Sequence, residues 1–315
     1  MAAQRYPADW DGIMAGSPAV QWTAQLATFG MIQHRLRIDP TNWIPASKLP
    51  NIQRAAIAQC GELKQTCRLH VRRLACRNRD GPQCLTEPQA STFDMIQSDP
   101  FGFDPRFAAV PQNWDQWILN PDRNAPSELG FATSAYRYLV HDNPGWQIEQ
   151  FDRSRDPSLL SERQVAGQQL ADIFNADDPD LSRFENHGGK LIIYTGTADA
   201  LISPRAGVYY YDRLLKRMGA HRARSFARLF IVPGMQHCQG GLAPNAFGQA
   251  WVAPALRADP RYDIRLALDA WVERGRAPRS IIAARYGDHG NGKDAAAART
   301  IPAYLNSDGS PAATR

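Results

Sequence analysis

No stretch of this 315-residue chain approaches the roughly 18 consecutive apolar residues that cross a bilayer, so no membrane-spanning helix is expected. Its first ten residues, MAAQRYPADW, have neither the basic n-region nor the apolar h-region of a secretory leader. Charge of one sign is not in great excess: 36 basic side chains face 31 acidic ones, and apart from an arginine-rich patch at 68–79 the basic residues are scattered. A solvated basic surface accounts for that distribution, and no nucleic-acid partner is predicted. The five cysteines include no C-x-x-C pair, which argues against a structural zinc site. No serine sits in a G-x-S-x-G turn, and no internal repeat is visible.

What the chain does contain is two short apolar runs, each followed by a loop with reactive side chains. The first is KLIIYTGTADALISP, with apolar residues at 191–194, then Gly196 and Asp199. The second is ARLFIVPGMQHCQGG, with apolar residues at 229–232, then Pro233-Gly234, His237, Cys238 and a glycine pair. Apolar runs closed by Gly or Pro are the signal of buried parallel strands. Open α/β sheets carry their chemistry on the loops beyond the carboxyl ends of such strands. An Asp on one loop and a His on the next, in that order, is the orienter and base of an α/β-hydrolase. The interval leaves room for a helix at about 206–218, and a last helix is expected at about 264–274, stopped by Gly275 and Pro278.

Before the first run, Ile13 and Met14 read as strand residues and 22–36 as a helix. The middle of the chain lacks strand–helix alternation and is rich in Pro, Trp, Asn and Asp. The sequence therefore predicts an α/β-hydrolase core in two parts, 1–45 and 186–285, around an inserted disulfide-containing lid domain at 46–185. Residues 286–315, with little apolar content, are expected to form a mobile tail. Trp114, Trp117, Phe131, Tyr136, Tyr138 and Trp146 are expected to form the core of the inserted region rather than a substrate surface. Cys60, Cys67, Cys76 and Cys84 crowd into 25 residues, and two short-range disulfides are expected, implying an oxidising compartment. Cys238 is left odd.

Five segments together resemble the tannase and feruloyl esterase family of α/β-hydrolases over most of the chain. AQRYPADWDGIMAGSPA resembles the segment that follows that family's nucleophile, and LGFATSAYRYLVHDNPGWQIEQFD part of its lid. DPDLSRFENHGGKLIIYTGTADALISP resembles its catalytic-Asp segment, RLFIVPGMQHCQGG its catalytic-His segment, and WVERGRAPRSIIA its late helix. The resemblance implies that His237 is the general base, that Asp199 orients it, and that Cys238 bonds to a cysteine directly before the nucleophilic serine. His34, His70, His141, His187, His221 and His289 match no motif.

The chain departs from the family in three ways. The nucleophile's G-C-S-x-G-G turn is not found; Ser17, in AGSPA, occupies a position after a later strand. The family's calcium loop is replaced by the short interval Gly61–Thr66, whose one carboxylate, Glu62, cannot supply six or more oxygen ligands, so no calcium and no cofactor is expected. The family's C-terminal cysteine segment is not visible in RTIPAYLNSDGS. The resemblance implies a secreted or periplasmic serine esterase of aromatic (phenolic) acids, with a small aromatic ester as substrate and no membrane partner. The expectation is a fragment lacking the N-terminal strands and the serine, inactive by itself. The alternatives are a non-catalytic ligand-binding remnant and one half of a split enzyme complemented by an N-terminal fragment.

Overall fold

The two apolar runs lie side by side as neighbouring strands of a three-stranded parallel sheet. The computed structural model describes residues 1–60, 69–77, 79–97, 114–120, 126–286 and 295–304. Along the chain the elements used below are β1 (Gly12–Gly16), α1 (Trp22–Ile38), α2 (Ser127–Ser134), α3 (Asp156–Glu162), β2 (Lys190–Gly196), α4 (Pro204–Met218), β3 (Ala227–Val232), α5 (Ile264–Arg274), β4 (Ser280–Arg285) and β5 (Ala297–Pro302). These fall into two compact units, one of 1–20 with 176–315 and one of 21–175.

In the first unit the sheet order is β1-β2-β3, with Ile13 beside Leu191 and Gly196 beside Val232. β2 is buried along almost its whole length, as its unbroken apolar run requires of a central parallel strand. One face, through Ile192, Tyr194, Phe230 and Val232, joins a core with Phe247, Ile264, Trp271, Ile281 and Ile301. Arg228 places its guanidinium 4.8 Å from the centre of the buried Trp271 ring, within the range of a cation–π contact. The other face receives α4, whose Gly207 lies where a Cβ would be 3.5 Å from Ile193. α4 starts at Ser203, which caps the Arg205 amide, and Pro204, and stops before Gly219 at φ +81°. α5 is capped by Asp263 and ends at left-handed Gly275, as the Gly-then-Pro signal predicts.

Two expectations need correction here. The 286–315 tail is not mobile throughout: 297–302 forms β5, antiparallel to β4, and Ile301, Ala303 and Tyr304 are buried. A strand needs only backbone pairing and one buried side, so AARTIP qualifies despite its modest hydrophobicity. Residues 287–294 and 305–315 lie outside the described residues. The unit boundaries also fall elsewhere, at 20/21 and 175/176 rather than 45/46 and 185/186, because α1 packs against α2 and α3.

The second unit is helical around α1. Its aromatic core contains Trp114, Tyr136 and Trp146, whereas Phe131 and Tyr138 are exposed and Trp117 is half-buried. Cys76 and Cys84 form a disulfide, while Cys67 and the Cys60 side chain lie outside what is described. Glu128 is fully buried, accepting one bond from Gln33 Nε2 at 3.3 Å. Burial holds its carboxyl well above the usual glutamate range, against the smaller opposing pull of that bond. A group that binds its proton more tightly when folded loses stabilising effect as pH rises past its unfolded value. Glu128→Gln removes that loss. As pH rises above the usual glutamate range, the melting temperature of Glu128→Gln should gain on the parent's, a difference that thermal melts across that range read directly.

Candidate active site

Beyond the ends of β2 and β3 the chain makes two loops that are tied to each other by backbone contacts. Ala198 donates its N–H to the Met235 carbonyl at 2.9 Å, and the Gly234 N–H bonds Thr197 Oγ1 at 2.8 Å. The approach is so close that a Cβ on Gly196 would lie 2.1 Å from the Met235 oxygen. Only glycine fits there.

These ties bring Asp199 and His237 together. Asp199 is 1% exposed. Its Oδ1 accepts the N–H groups of Leu201 and Ile202, each at 2.9 Å, in a local turn of the kind aspartate favours. That leaves Oδ2 for the His237 ring, whose Nδ1 is 2.9 Å away. One carboxylate therefore satisfies two buried amides and fixes an imidazole. Nδ1 is thus committed to Asp199, and the His237 side chain is 28% exposed, against none of the Asp199 side chain. A buried carboxylate behind a solvent-reaching imidazole is the arrangement that accepts a proton from a hydroxyl and stabilises the resulting cation.

The loop carrying His237 is closed on itself. Met235 pairs with Gly241, and the Gln236 N–H bonds the Gly240 carbonyl at 3.1 Å. Cys238 stands in the left-handed region at φ +63°, between His237 and the glycines. Its thiol is not in a disulfide, and burial first, then the Asp199 charge, push it above its usual range. Contacts from the hydroxyls of Ser17 and Tyr194 draw it the other way. Ser17, buried just past β1 at φ +39°, donates its backbone N–H to the Tyr194 carbonyl at 2.8 Å, but its hydroxyl meets no hydrogen-bond partner in normal geometry among the described residues. It is therefore not held to the imidazole as a nucleophile would be.

Of the remaining expected site residues, Cys76 and Cys84 lie in the second unit. With Asp80 they form the one close group of possible metal ligands among the described residues, but their sulfurs are consumed by the disulfide. The interval Gly61–Thr66, on which the calcium expectation rests, lies outside the described residues. His34 bonds the Ile148 carbonyl and His141 stacks on Trp146, both within the helical unit. The sequence reading took Gly196 only as the end of a strand, and it missed Thr197, which with Gly196 sets the spacing of the two loops, as well as Asn245 and Gln249. Thr197 and Gly196 could have been suspected from the G-T-A-D run. Nothing in the sequence marks the other two.

A family model described as tannase and feruloyl esterase matches residues 1–306. An uncharacterised esterase of Xanthomonas campestris pv. campestris is 33% identical, the match covering 98% of this chain and 59% of that protein. Feruloyl esterase C of Talaromyces stipitatus is 28% identical, over 91% of this chain and 55% of its own length. The chain thus spans a little over half the length of the curated relatives it matches. Among solved structures, feruloyl esterase B from Aspergillus oryzae has a TM-score of 0.82 at 23% identity, covering 96% of this chain and 62% of that one. Tannin acyl hydrolase from Aspergillus niger has a TM-score of 0.64 at 18% identity, covering 96% and 58%. Likeness at those identities establishes a shared fold.

Proposed function

The chain belongs to the tannase and feruloyl esterase family, and on that premise we propose that it carries the acid–base half of a serine esterase acting on carboxylic esters of aromatic acids. The observation that supports this most directly is the 2.9 Å bond from His237 Nδ1 to the buried Asp199. In this reading a serine hydroxyl gives its proton to His237 Nε2 as it attacks the ester carbonyl. The tetrahedral intermediate then collapses, and the alcohol leaves with that proton. Water repeats the sequence on the acyl-enzyme, again with His237 as base and Asp199 holding the imidazolium.

The serine itself is assigned to a segment outside these 315 residues, joined to them or supplied by another chain. Two observations support that assignment: the sequence has no G-x-S-x-G, and the Ser17 hydroxyl is not bonded to the ring. The same segment would bring donors for the oxyanion and a cysteine to bond Cys238. The Cys76–Cys84 disulfide supports placement in an oxidising compartment, extracellular or periplasmic. No helix among the described residues is long and apolar enough to cross a membrane.

The test is labelling by a serine-directed phosphonate. The 315-residue chain should show none, and stoichiometric labelling of it would overturn the assignment of the serine. Joined to a segment carrying G-C-S-x-G-G, the protein should label and turn over aromatic esters. His237→Ala should then lower kcat by ~10⁴-fold or more, measured with a soluble hydroxycinnamate or gallate ester.

A further inference from the structure

Cys238, the residue directly after the base, has a Cβ and yet holds φ +63°. A non-glycine residue stays in that region only where its surroundings over-determine it. The loop's own bonds close it at Gln236–Gly240 and Met235–Gly241 but leave the Cys238 peptide to be held from outside. The segment 245–249 supplies that hold. Gln249 Nε2 donates to the Cys238 carbonyl at 3.2 Å and to the Asn245 carbonyl at 2.7 Å, while its Oε1 accepts the Phe247 N–H at 2.8 Å. Asn245 Oδ1 accepts the Gly240 N–H at 3.1 Å, and its Nδ2 donates to the Ala243 carbonyl at 2.6 Å.

Both side chains are more than nine-tenths buried, and their own segment is anchored to the core. Asn245 and Ala246 bond the Ala284 carbonyl on β4 at 3.0 and 2.9 Å, Phe247 lies in the core, and its carbonyl accepts the Ile264 N–H at 2.9 Å. The two amides thus act as a rigid bracket running from the β4 region to the loop that carries the base.

We propose that Gln249, seconded by Asn245, is a positioning residue for His237: by fixing the Cys238 carbonyl it keeps the imidazole Nδ1 directed at Asp199. This rests on the reading of His237 and Asp199 as a catalytic pair. Without the Gln249 donor, Cys238 is released toward negative φ. The Cys238–Gln239 peptide turns, the backbone at Cys238 relaxes next to His237, and the ring leaves Asp199 for part of the time.

The test reads the His237 Nδ1 proton directly, by nuclear magnetic resonance of the ¹⁵N-histidine-labelled 315-residue chain. In the parent this proton should exchange slowly with water, and the protection should vanish in Asp199→Ala. Gln249→Met keeps the side-chain length but removes both donors. Gln249→Glu keeps the acceptor for the Phe247 N–H and, when ionised, offers no donor. Both should exchange about tenfold faster, the factor a single lost hydrogen bond is worth, with cooperative melting retained. If Gln249→Met fails to fold, Gln249→Glu carries the test, and acidification that protonates its carboxyl should restore one donor and narrow its ratio to the parent. Parent-like exchange in the folded variants would overturn the proposal while leaving the pair intact. A parent proton whose exchange ignores Asp199→Ala would overturn the pair, and the proposal with it.

Discussion

Asp199→Asn should leave the fold standing and lower ester hydrolysis by ~10⁴-fold in the protein joined to its serine segment, the loss known for this change in serine triads. The reasoning follows from how the two oxygens are used. Oδ1 accepts the Leu201 and Ile202 amides, and an asparagine oxygen can occupy the same place. The amide nitrogen then faces His237 Nδ1, a donor where an acceptor is needed. The ring must carry its proton on Nε2, the wrong nitrogen for taking one from serine. Asp199→Ala makes the contrast. It removes the same partner from the ring and also orphans two buried N–H groups, each costing ~1–3 kcal/mol. It should melt well below Asp199→Asn while being no more active. Thermal melts beside kcat values separate the two effects, and an active Asp199→Asn would dismiss the pair.

Gly196→Ala should disrupt the first unit severely. The new Cβ would stand 2.1 Å from the Met235 carbonyl oxygen and 2.7 Å from its carbon, backbone atoms that no rotamer change can move. Either β2 or the base loop must shift. Overpacking of this kind costs ~1–3 kcal/mol and occasionally more, and a backbone clash belongs at the upper end. Because the displaced atoms lead directly into His237, a shift of about 1 Å should also lower turnover by ~10²-fold. Gly275→Ala is the control. Gly275 is also left-handed, at φ +65°, but nothing lies within 4 Å of its missing Cβ, so alanine there meets only the backbone penalty of ~1–2 kcal/mol. Its turnover should be that of the parent. Equal losses in the two variants would show that the close approach at Met235 has no functional weight.

The strands and the pair of reactive loops were legible because their signals are local. LIIY and LFIV are unbroken apolar runs, so they must be buried on both faces, and Gly196 and Pro233-Gly234 mark where each run stops. The helix 264–274 was legible for the same reason, through its stop at Gly275 with Pro278 beyond. The extent of the two units was not. α1 has the pattern of a helix either unit could use, and only its packing against α2 and α3 assigns it. β5 escaped because pairing is a property of the partner: AARTIP is read as a strand only once β4 lies beside it. The bracket of Asn245 and Gln249 escaped because single buried amides leave no periodic or motif signal.

The sequence by itself determined which side chains could do chemistry and on which loops they sit, since strand burial and turn chemistry depend on neighbours a few residues away. Tertiary structure alone decided that Asp199 and His237, 38 residues apart, meet at 2.9 Å. That distance follows from the parallel register setting Gly196 beside Val232, and from the absent side chain at Gly196 that lets the loops touch. It is fixed by packing over the whole unit, and no short stretch of sequence contains it.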